Sequence, residues 1–133
     1  MIEKLTKTNE EWKKLLSPLQ YHILREKGTE PAFANVFLEN EEPGFYHCVA
    51  CDNKLFSSDD KYNSGTGWPS FSKPITEKAV IIAPYPGQGT DGAEVLCARC
   101  EGHLGHAFLD GPEPTGQRFC MNTAVLKFNK RSN

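Results

Sequence analysis

The first hydrophobic pattern along the chain is helical. Thr8 and Glu11 have the spacing of a capping box, which predicts a helix that begins after Thr8. Ser17 and Pro18 supply a second cap and a first-turn proline, and this second helix is predicted to stop at Gly28. The apolar positions expected on the buried faces of the two helices are Trp12, Leu15, Leu16, Leu19, Tyr21, Ile23 and Leu24. Two short amphipathic helices therefore open the chain.

After residue 43 the pattern changes to short apolar runs separated by turn residues, which is typical of β-strands. Strands are predicted at residues 44–49, 55–56, 79–83, 94–97, 117–119 and 124–128, and residues 103–108 are predicted to form a strand or a tight loop. Loops are predicted at residues 29–43, 59–74 and 84–92, where glycine, proline and polar residues are frequent. Helices first and antiparallel strands afterwards indicate an α+β fold, with the sheet carrying the functional site.

Composition narrows the class of protein. A chain of 133 residues is long enough for one domain, 1–133, with a core that needs no disulfides, and we expect it to be a monomer. The net charge of -2 argues against nucleic acid or an acidic membrane as the main partner. The chain has no apolar run of about 20 residues, and its first four residues lead into a charged segment rather than a signal-peptide core. We therefore expect a cytoplasmic protein.

Four of the five cysteines form two Cys-x-x-Cys pairs, Cys48/Cys51 and Cys97/Cys100. Two residues between cysteines let both thiolates reach one tetrahedral ion, and two such turns complete a closed structural zinc site. An alternative is a site made by the second pair with His103 and His106, which would leave the first pair as a redox couple. The two residues between these histidines are fewer than is usual in such sites, so the four-cysteine site is favoured.

Cys120 is the cysteine left over, and its surroundings favour a reactive role over that of a small buried apolar residue. Arg118 can favour the thiolate, and Asn122 can hydrogen-bond to a reacting group. His103 and His106 titrate near neutral pH and can move a proton, and Asp110 could orient one of the rings. A further candidate is Trp68, which stands between a glycine and a proline and can form an apolar wall for a small methyl-bearing ligand.

Three stretches, residues 64–71, 103–112 and 118–122, framed by the two Cys-x-x-Cys pairs, together resemble the B-type peptide-methionine sulfoxide reductase (MsrB) family. The N-terminal residues Trp12, Tyr21, Arg25 and the stretch 29–33 also resemble the family pattern. The resemblance implies two small antiparallel sheets with the helices packed outside. It also implies an oxidoreductase that repairs methionine (R)-sulfoxide in peptides and proteins after oxidative stress.

By the same resemblance, Cys120 is the nucleophile, and His103, His106 and Asn122 bind and activate the sulfoxide oxygen. Trp68 and Phe119 are the substrate-binding residues, and Arg118 and Asp110 support the site. Phe119 stands where the family often has tyrosine. A non-catalytic zinc-binding interaction module is the alternative, but it gives these residues no joint purpose.

The sequence departs from many family members at Thr66, which stands where they carry a resolving cysteine. With the other four cysteines assigned to zinc, an intramolecular disulfide has no obvious partner. We therefore expect that thioredoxin or another external thiol reduces the Cys120 sulfenic acid directly.

Overall fold

A computed structural model describes residues 6–26, 28, 40, 42–62, 64–65, 67–85, 89–112 and 115–130, with the backbone alone at 84–85 and 89–92. The described part forms two α-helices and nine strands in two antiparallel sheets, which confirms the predicted α+β class. The predicted loop at residues 29–43 and the family pattern at 29–33 lie mostly or wholly outside the described residues. None of the described helices is long and apolar enough to cross a bilayer.

Both N-terminal helices begin as the sequence predicts. Helix α1 (Asn9–Leu15) starts with a reciprocal capping box between Thr8 and Glu11. Helix α2 (Pro18–Glu26) starts with the same reciprocal pattern between Ser17 and Gln20. Each box satisfies backbone N–H groups that a helix start leaves without an intrahelical partner.

The helices bury a narrower face than the sequence predicts. Trp12, Leu16, Ile23 and Leu24 are buried, whereas Leu15 and Leu19 are 61% and 48% exposed. Helix α2 packs against strand β7 (His103–Phe108). Since a short helix presents one stripe to its neighbour, apolar residues at its margin remain in solvent.

The first sheet has three strands in the order β2-β1-β9: β1 (Gly44–Cys48), β2 (Lys54–Ser57) and β9 (Leu126–Lys130). Six strands form the second sheet, in the order β3-β4-β8-β7-β6-β5. These are β3 (Lys61–Tyr62), β4 (Ser70–Phe71), β5 (Val80–Tyr85), β6 (Gly89–Cys97), β7 and β8 (Arg118–Met121).

Two predicted loops are wrong in part. Strands β3 and β4 lie within residues 59–74, and β4 pairs with β8, so these two short strands belong to the larger sheet. Residues 84–92 mostly extend β5 and β6, which remain paired as far as Tyr85 and Gly89. In both segments, tertiary pairing overrides the local preference of glycine and proline for turns.

Aromatic side chains from both sheets meet in the core. Tyr46 of β1 and Phe56 of β2 contact Phe71 of β4, with ring centroids 5.2 and 4.4 Å apart. Phe119 of β8 lies 6.0 Å from Phe56, and all four rings are fully buried. Each such contact contributes about 0.5–1.5 kcal/mol beyond simple burial. The core therefore lies between the two sheets.

Candidate active site and metal centre

The four paired cysteines come together at the ends of strands from different sheets. Cys48 and Cys51 lie at the turn between β1 and β2, and Cys97 and Cys100 at the turn between β6 and β7. Their sulfur atoms all lie within 4.8 Å of one another, and all four residues are buried. A tetrahedral zinc ion with bonds of about 2.3 Å would place its sulfurs about 3.8 Å apart. The cluster therefore has the size of a four-thiolate metal site.

The two cysteine turns have the same backbone structure. Asp52 and Glu101, the residues after each second cysteine, both have left-handed backbones, with φ of 65° and 62°. Their N–H groups donate to the carbonyl oxygens of Cys48 and Cys97, each over 2.8 Å. A left-handed conformation is unusual for residues other than glycine. Its presence at equivalent positions indicates that each turn is shaped to direct two sulfurs to one point.

Polar side chains hold the two turns in place and link them to each other. The guanidinium of Arg25 donates to the carbonyl oxygen of Cys100 over 3.0 Å, and that of Arg99 donates to the carbonyl oxygen of Cys51. Asn53 donates from Nδ2 to the sulfur of Cys97 over 3.6 Å. Hydrogen bonds donated within the cluster, first from Cys100, hold the pKa of Cys97 well below its usual range. Hydrogen bonds within the cluster, first with Cys100, instead raise the pKa of Cys48. A bound cation would therefore be needed to keep all four cysteines as thiolates, the form that binds metal.

The alternative metal site made from Cys97, Cys100, His103 and His106 does not match this arrangement. The second pair faces the first pair, with 3.4 Å between the sulfurs of Cys51 and Cys97. Nδ1 of His103 is instead hydrogen-bonded to Glu94. The structure thus separates the cysteine cluster from the two histidines.

Cys120 lies at a small, mostly apolar cleft on the larger sheet. The cleft has a volume of about 180 Å³ and is lined by Trp68, Gly105, His106, Phe108, Cys120 and Asn122. Cys120 and His106 are direct partners on the antiparallel strands β8 and β7. Directly paired residues place their side chains on the same face of a sheet. The thiol and an imidazole therefore face one cavity large enough for a small side chain.

Gly105 lets the two strands that carry these side chains approach closely. A β-carbon at this position would lie 2.1 Å from the carbonyl oxygen of Cys120. Any larger residue would therefore push β7 away from β8. This is a physical reason for glycine within the strand.

An irregularity in β7 brings the two histidines to one side of the sheet. In a regular strand, residues three positions apart point to opposite faces. The register between β6 and β7 shifts between Val95, which opposes Gly105, and Leu96, which opposes His103. This bulge places the rings of His103 and His106 with centroids 5.2 Å apart, at an interplanar angle of 70°.

The two histidines occupy different environments. His106 lines the cleft, whereas His103 is only 2% exposed and is not among the cleft-lining residues. Burial lowers the pKa of His106, and charge on His103 lowers it further, while Glu94 acts in the opposite direction. The lowered pKa favours the neutral form of His106 near neutral pH.

Glu94 is a site residue that the sequence predictions missed. Its Oε2 lies 2.8 Å from Nδ1 of His103, and both side chains are buried. It is also the direct partner of His106 across β6 and β7. The available signal was a carboxylate flanked by the apolar residues Ala93 and Val95, because a buried carboxylate needs a partner.

Asn122 is buried at the end of β8, beside the cleft. Its backbone N–H and its side-chain Nδ2 both donate to the carbonyl oxygen of Leu104, each over 3.0 Å. Leu104 is the residue at the bulge in β7. The same irregularity therefore fixes the orientation of the Asn122 amide.

Arg118 and Asp110 form a bidentate ion pair next to the cleft. Nε and a terminal nitrogen of Arg118 donate to the two carboxylate oxygens of Asp110, over 2.8 and 3.2 Å. The Arg118 hydrogen bond lowers the pKa of Asp110. The guanidinium also lies 4.2 Å from the centre of the Phe108 ring. Asp110 thus binds Arg118 and not a histidine ring. The carboxylate that orients a ring is that of Glu94, not that of Asp110 as the sequence suggested.

Phe119, expected at the substrate, lies in the core instead. Its side chain is fully buried against Phe56. Adjacent residues of a strand point to opposite faces, so Phe119 points away from the face that carries Cys120. The aromatic residues that line the cleft are Trp68 and Phe108. Thr66 lies outside the described residues.

Comparison with known proteins identifies the family. The SelR domain matches residues 16–130 of the chain. A peptide methionine sulfoxide reductase MsrB of Leptospira interrogans is 51% identical over 130 residues, covering 98% of this chain and 99% of that protein. An MsrB of Methanosarcina mazei is 50% identical over 127 residues, covering 96% and 91%. The human mitochondrial methionine-R-sulfoxide reductase B2 is 50% identical over 128 residues, covering 91% and 70%. The chain therefore belongs to the SelR domain family of B-type methionine sulfoxide reductases.

Proposed function

We propose that this protein reduces the R epimer of methionine sulfoxide in peptides and proteins, with Cys120 as the nucleophile. Family membership makes it a methionine sulfoxide reductase. The observation that carries the residue assignment is the direct pairing of Cys120 with His106 at a cleft walled by Trp68. The R preference is supported by the name of the human relative, a methionine-R-sulfoxide reductase.

The cleft suits a methionine sulfoxide side chain. A thioether sulfoxide has an apolar methyl end and one strongly accepting oxygen. Trp68 and Phe108 supply apolar walls for the methyl group, since aromatic faces pack well against methyl groups and sulfur. Asn122 and His106 lie on the same cavity and are the polar groups placed for the oxygen. Arg118, held by Asp110, supplies positive charge beside the thiolate.

The reaction requires both a nucleophile and a proton source. The thiolate of Cys120 attacks the sulfoxide sulfur, and protonation of the oxygen makes that sulfur electrophilic. The histidines supply the proton directly or through water. Overall, one thiol and one sulfoxide give one sulfenic acid and one thioether. Cys120 is oxidised by two electrons, methionine sulfoxide is reduced by two, and oxygen passes to Cys120.

Recycling then requires an external reductant. A first thiol attacks the Cys120 sulfenic acid, forming a mixed disulfide and releasing water. A second thiol releases the Cys120 thiol and leaves with the first as a disulfide. Thioredoxin or a small thiol can serve, because the other four cysteines are buried together in the metal-sized cluster. We expect the protein to act as a monomer in the cytoplasm.

We infer that the cysteine cluster holds zinc, because four buried cysteines with sulfurs within 4.8 Å of one another provide the closed ligand set typical of structural zinc sites. The ion would be held by Cys48, Cys51, Cys97 and Cys100. When bound, it supplies structural stability through a closed coordination shell. The reacting groups all belong to the separate cleft around Cys120.

Activity on the separated epimers of a dabsylated methionine sulfoxide, with dithiothreitol as reductant, tests the proposal. We expect turnover of the R epimer, little turnover of the S epimer, and at least a 10³-fold loss in Cys120→Ser. The matched control is Ser72→Ala, a similarly small change outside the cleft-lining set. Undiminished activity in Cys120→Ser would refute the nucleophile assignment, and a preference for the S epimer would refute the stereochemistry.

Mass spectrometry tests the recycling route. After one equivalent of sulfoxide without reductant, we expect Cys120 to carry one oxygen and to react with a sulfenic-acid reagent. Addition of a thiol should then yield a mixed disulfide at Cys120. A disulfide from Cys120 to Cys48, Cys51, Cys97 or Cys100 in most molecules would contradict direct external reduction.

A further inference from the structure

The adjacent imidazoles of His103 and His106 have unequal surroundings, and Glu94 is the source of the difference. Its carboxylate is 2.8 Å from Nδ1 of His103 and buried with it on the cleft side of the larger sheet. A carboxylate accepts hydrogen bonds, so Nδ1 of His103 must be the nitrogen that donates. The second nitrogen, Nε2, is then the one that exchanges a proton with its surroundings.

We propose that Glu94 is a positioning residue with two effects on His103. It favours the protonated form of His103 over that of His106. It also holds one proton on Nδ1 of His103, so that the proton gained or lost by the ring is the one on Nε2. This inference rests on the proposed function and assigns the division of work within that site. Glu94 is not among the cleft-lining residues, and its hydrogen bond is to His103, so we infer that it acts through that ring. Paired carboxylate and imidazolium charges stabilise each other, so the negative charge of Glu94 favours a protonated His103 over a protonated His106.

The surroundings of His103 support this asymmetry. From β6 it faces Glu94, from its own strand it faces His106, and β8 carries Cys120 opposite His106. Helix α2 packs on β7 with Leu24 against Gly102, while the guanidinium of Arg25 on that helix is bound to the Cys100 carbonyl. Glu94 is therefore the carboxylate directly bound to this ring.

The position of His106 completes the asymmetry. This ring lines the cleft, and its pKa is lowered by burial and by charge on His103. A neutral His106 beside Cys120 can pass a proton on without adding a second charge to the pair. The buried His103 ring thus holds the proton, and His106 and Asn122 present polar atoms to the substrate.

The pH dependence of kcat/KM on the R-sulfoxide tests the proposal with Glu94→Gln, which removes the charge at nearly constant volume. As the pH rises, the protonated fraction of His103 falls at a lower pH in the variant than in the wild type. The ratio of variant to wild-type kcat/KM should therefore be near one at pH 5.5 and about tenfold lower at pH 8.5. The ratio cancels the titration of Cys120, which both proteins share. Glu77→Gln, at an exposed glutamate, is the charge-matched control and should give a ratio near one throughout.

The conservative variant separates charge from shape. Glu94→Asp keeps the carboxylate but shortens it, so it should lower kcat/KM by a similar factor at every pH. A purely structural role for Glu94 predicts a pH-independent loss in Glu94→Gln as well. That flat profile, in an enzyme active on the R-sulfoxide, would overturn the inference while leaving the proposed function intact.

Nitrogen NMR of the His103 ring tests the inference without turnover. In the wild type we expect the proton of the neutral ring on Nδ1, and in Glu94→Gln we expect the titration midpoint to move about one pH unit lower. A proton on Nε2 of the neutral wild-type ring would overturn the proposal even if no Glu94 variant folds. If the wild type proved inactive on methionine sulfoxide, the proposed function would fail, and this measurement would still decide the role of Glu94.

Discussion

The charge of Arg118 interacts with Cys120. The two residues are two positions apart on β8, so their side chains lie on the same face of the sheet. The pKa of Arg118 is raised, first by its hydrogen bond to Asp110 and to a smaller extent by the charge on Cys120. The attraction is mutual, so the guanidinium favours the Cys120 thiolate.

We predict that Arg118→Met slows alkylation of Cys120 by iodoacetamide at pH 7 by roughly threefold to tenfold, because the thiolate fraction falls. The rate is measured by mass spectrometry of the labelled Cys120 peptide. Asp110→Asn is the matched control, since it removes the partner carboxylate but keeps the positive charge. It should leave the alkylation rate unchanged or raise it. An equal slowing in both variants would show that the ion pair acts through positioning alone.

At the scale of the element, the strand pair β7 and β8 organises the cleft. The bulge at Leu104 in β7, opposite Val95 and Leu96, brings His103 to the side of His106, and the carbonyl of Leu104 anchors Asn122. Three of the site residues thus depend on one local irregularity. A motif with two residues between its histidines needs such an irregularity if both rings are to serve one site.

The sequence reveals the members of this site more readily than their arrangement. Cysteine spacing identified the metal set and isolated Cys120, because ligand spacing is a local property. The burial of Phe119 and the contact of Glu94 with His103 depend on strand register, which is set by pairing between distant segments. The short strands β3 and β4 were missed for the same reason, since glycine and serine near them favour turns until β8 supplies a partner.

Gly105→Ala should damage the site through this strand pair. The added carbon would lie 2.1 Å from the Cys120 carbonyl, so β7 and β8 must separate. We expect a loss of about 1–3 kcal/mol in the free energy of unfolding, measured with urea. We also expect a fall of at least tenfold in kcat/KM under conditions where the variant is fully folded, because His106 moves relative to Cys120.

Gly116→Ala is the control for removing a glycine without a clash. Its φ of 69° makes alanine unfavourable by about 1–2 kcal/mol, but a β-carbon there would meet nothing within 4 Å. Its stability should fall while kcat/KM stays the same. A Gly105→Ala protein with normal kcat/KM would show that the spacing of β7 and β8 does not control the site.

At the scale of the whole molecule, the cysteine cluster links the two sheets. One pair lies between strands of the three-stranded sheet and the other between strands of the six-stranded sheet, with 45 residues between Cys51 and Cys97. The aromatic core also joins the sheets, through rings of β1, β2, β4 and β8. The cysteine cluster and the aromatic core therefore join the same two sheets at different positions.

Removal of the metal should unfold the protein rather than cause a selective loss of chemistry. Apparent binding free energies of structural zinc sites, about 10–16 kcal/mol in small zinc peptides, match or exceed the roughly 5–15 kcal/mol that stabilises a typical domain. We expect that chelation abolishes the cooperative thermal transition in circular dichroism, in step with zinc release measured by a colorimetric indicator.

The same substitution at two cysteines separates folding from catalysis. Cys48→Ser should lose zinc and the folded state, because three thiolates remain around a site built for four and their buried charges lose their counter-ion. Cys120→Ser should retain one zinc per chain and a normal melting transition while losing activity, since Cys120 lies at the separate cleft. A folded, active protein without metal would contradict the structural role, and undiminished zinc in a folded Cys48→Ser protein would contradict the four-thiolate site. The pair therefore tests whether the cluster stabilises the fold while Cys120 alone carries the redox chemistry.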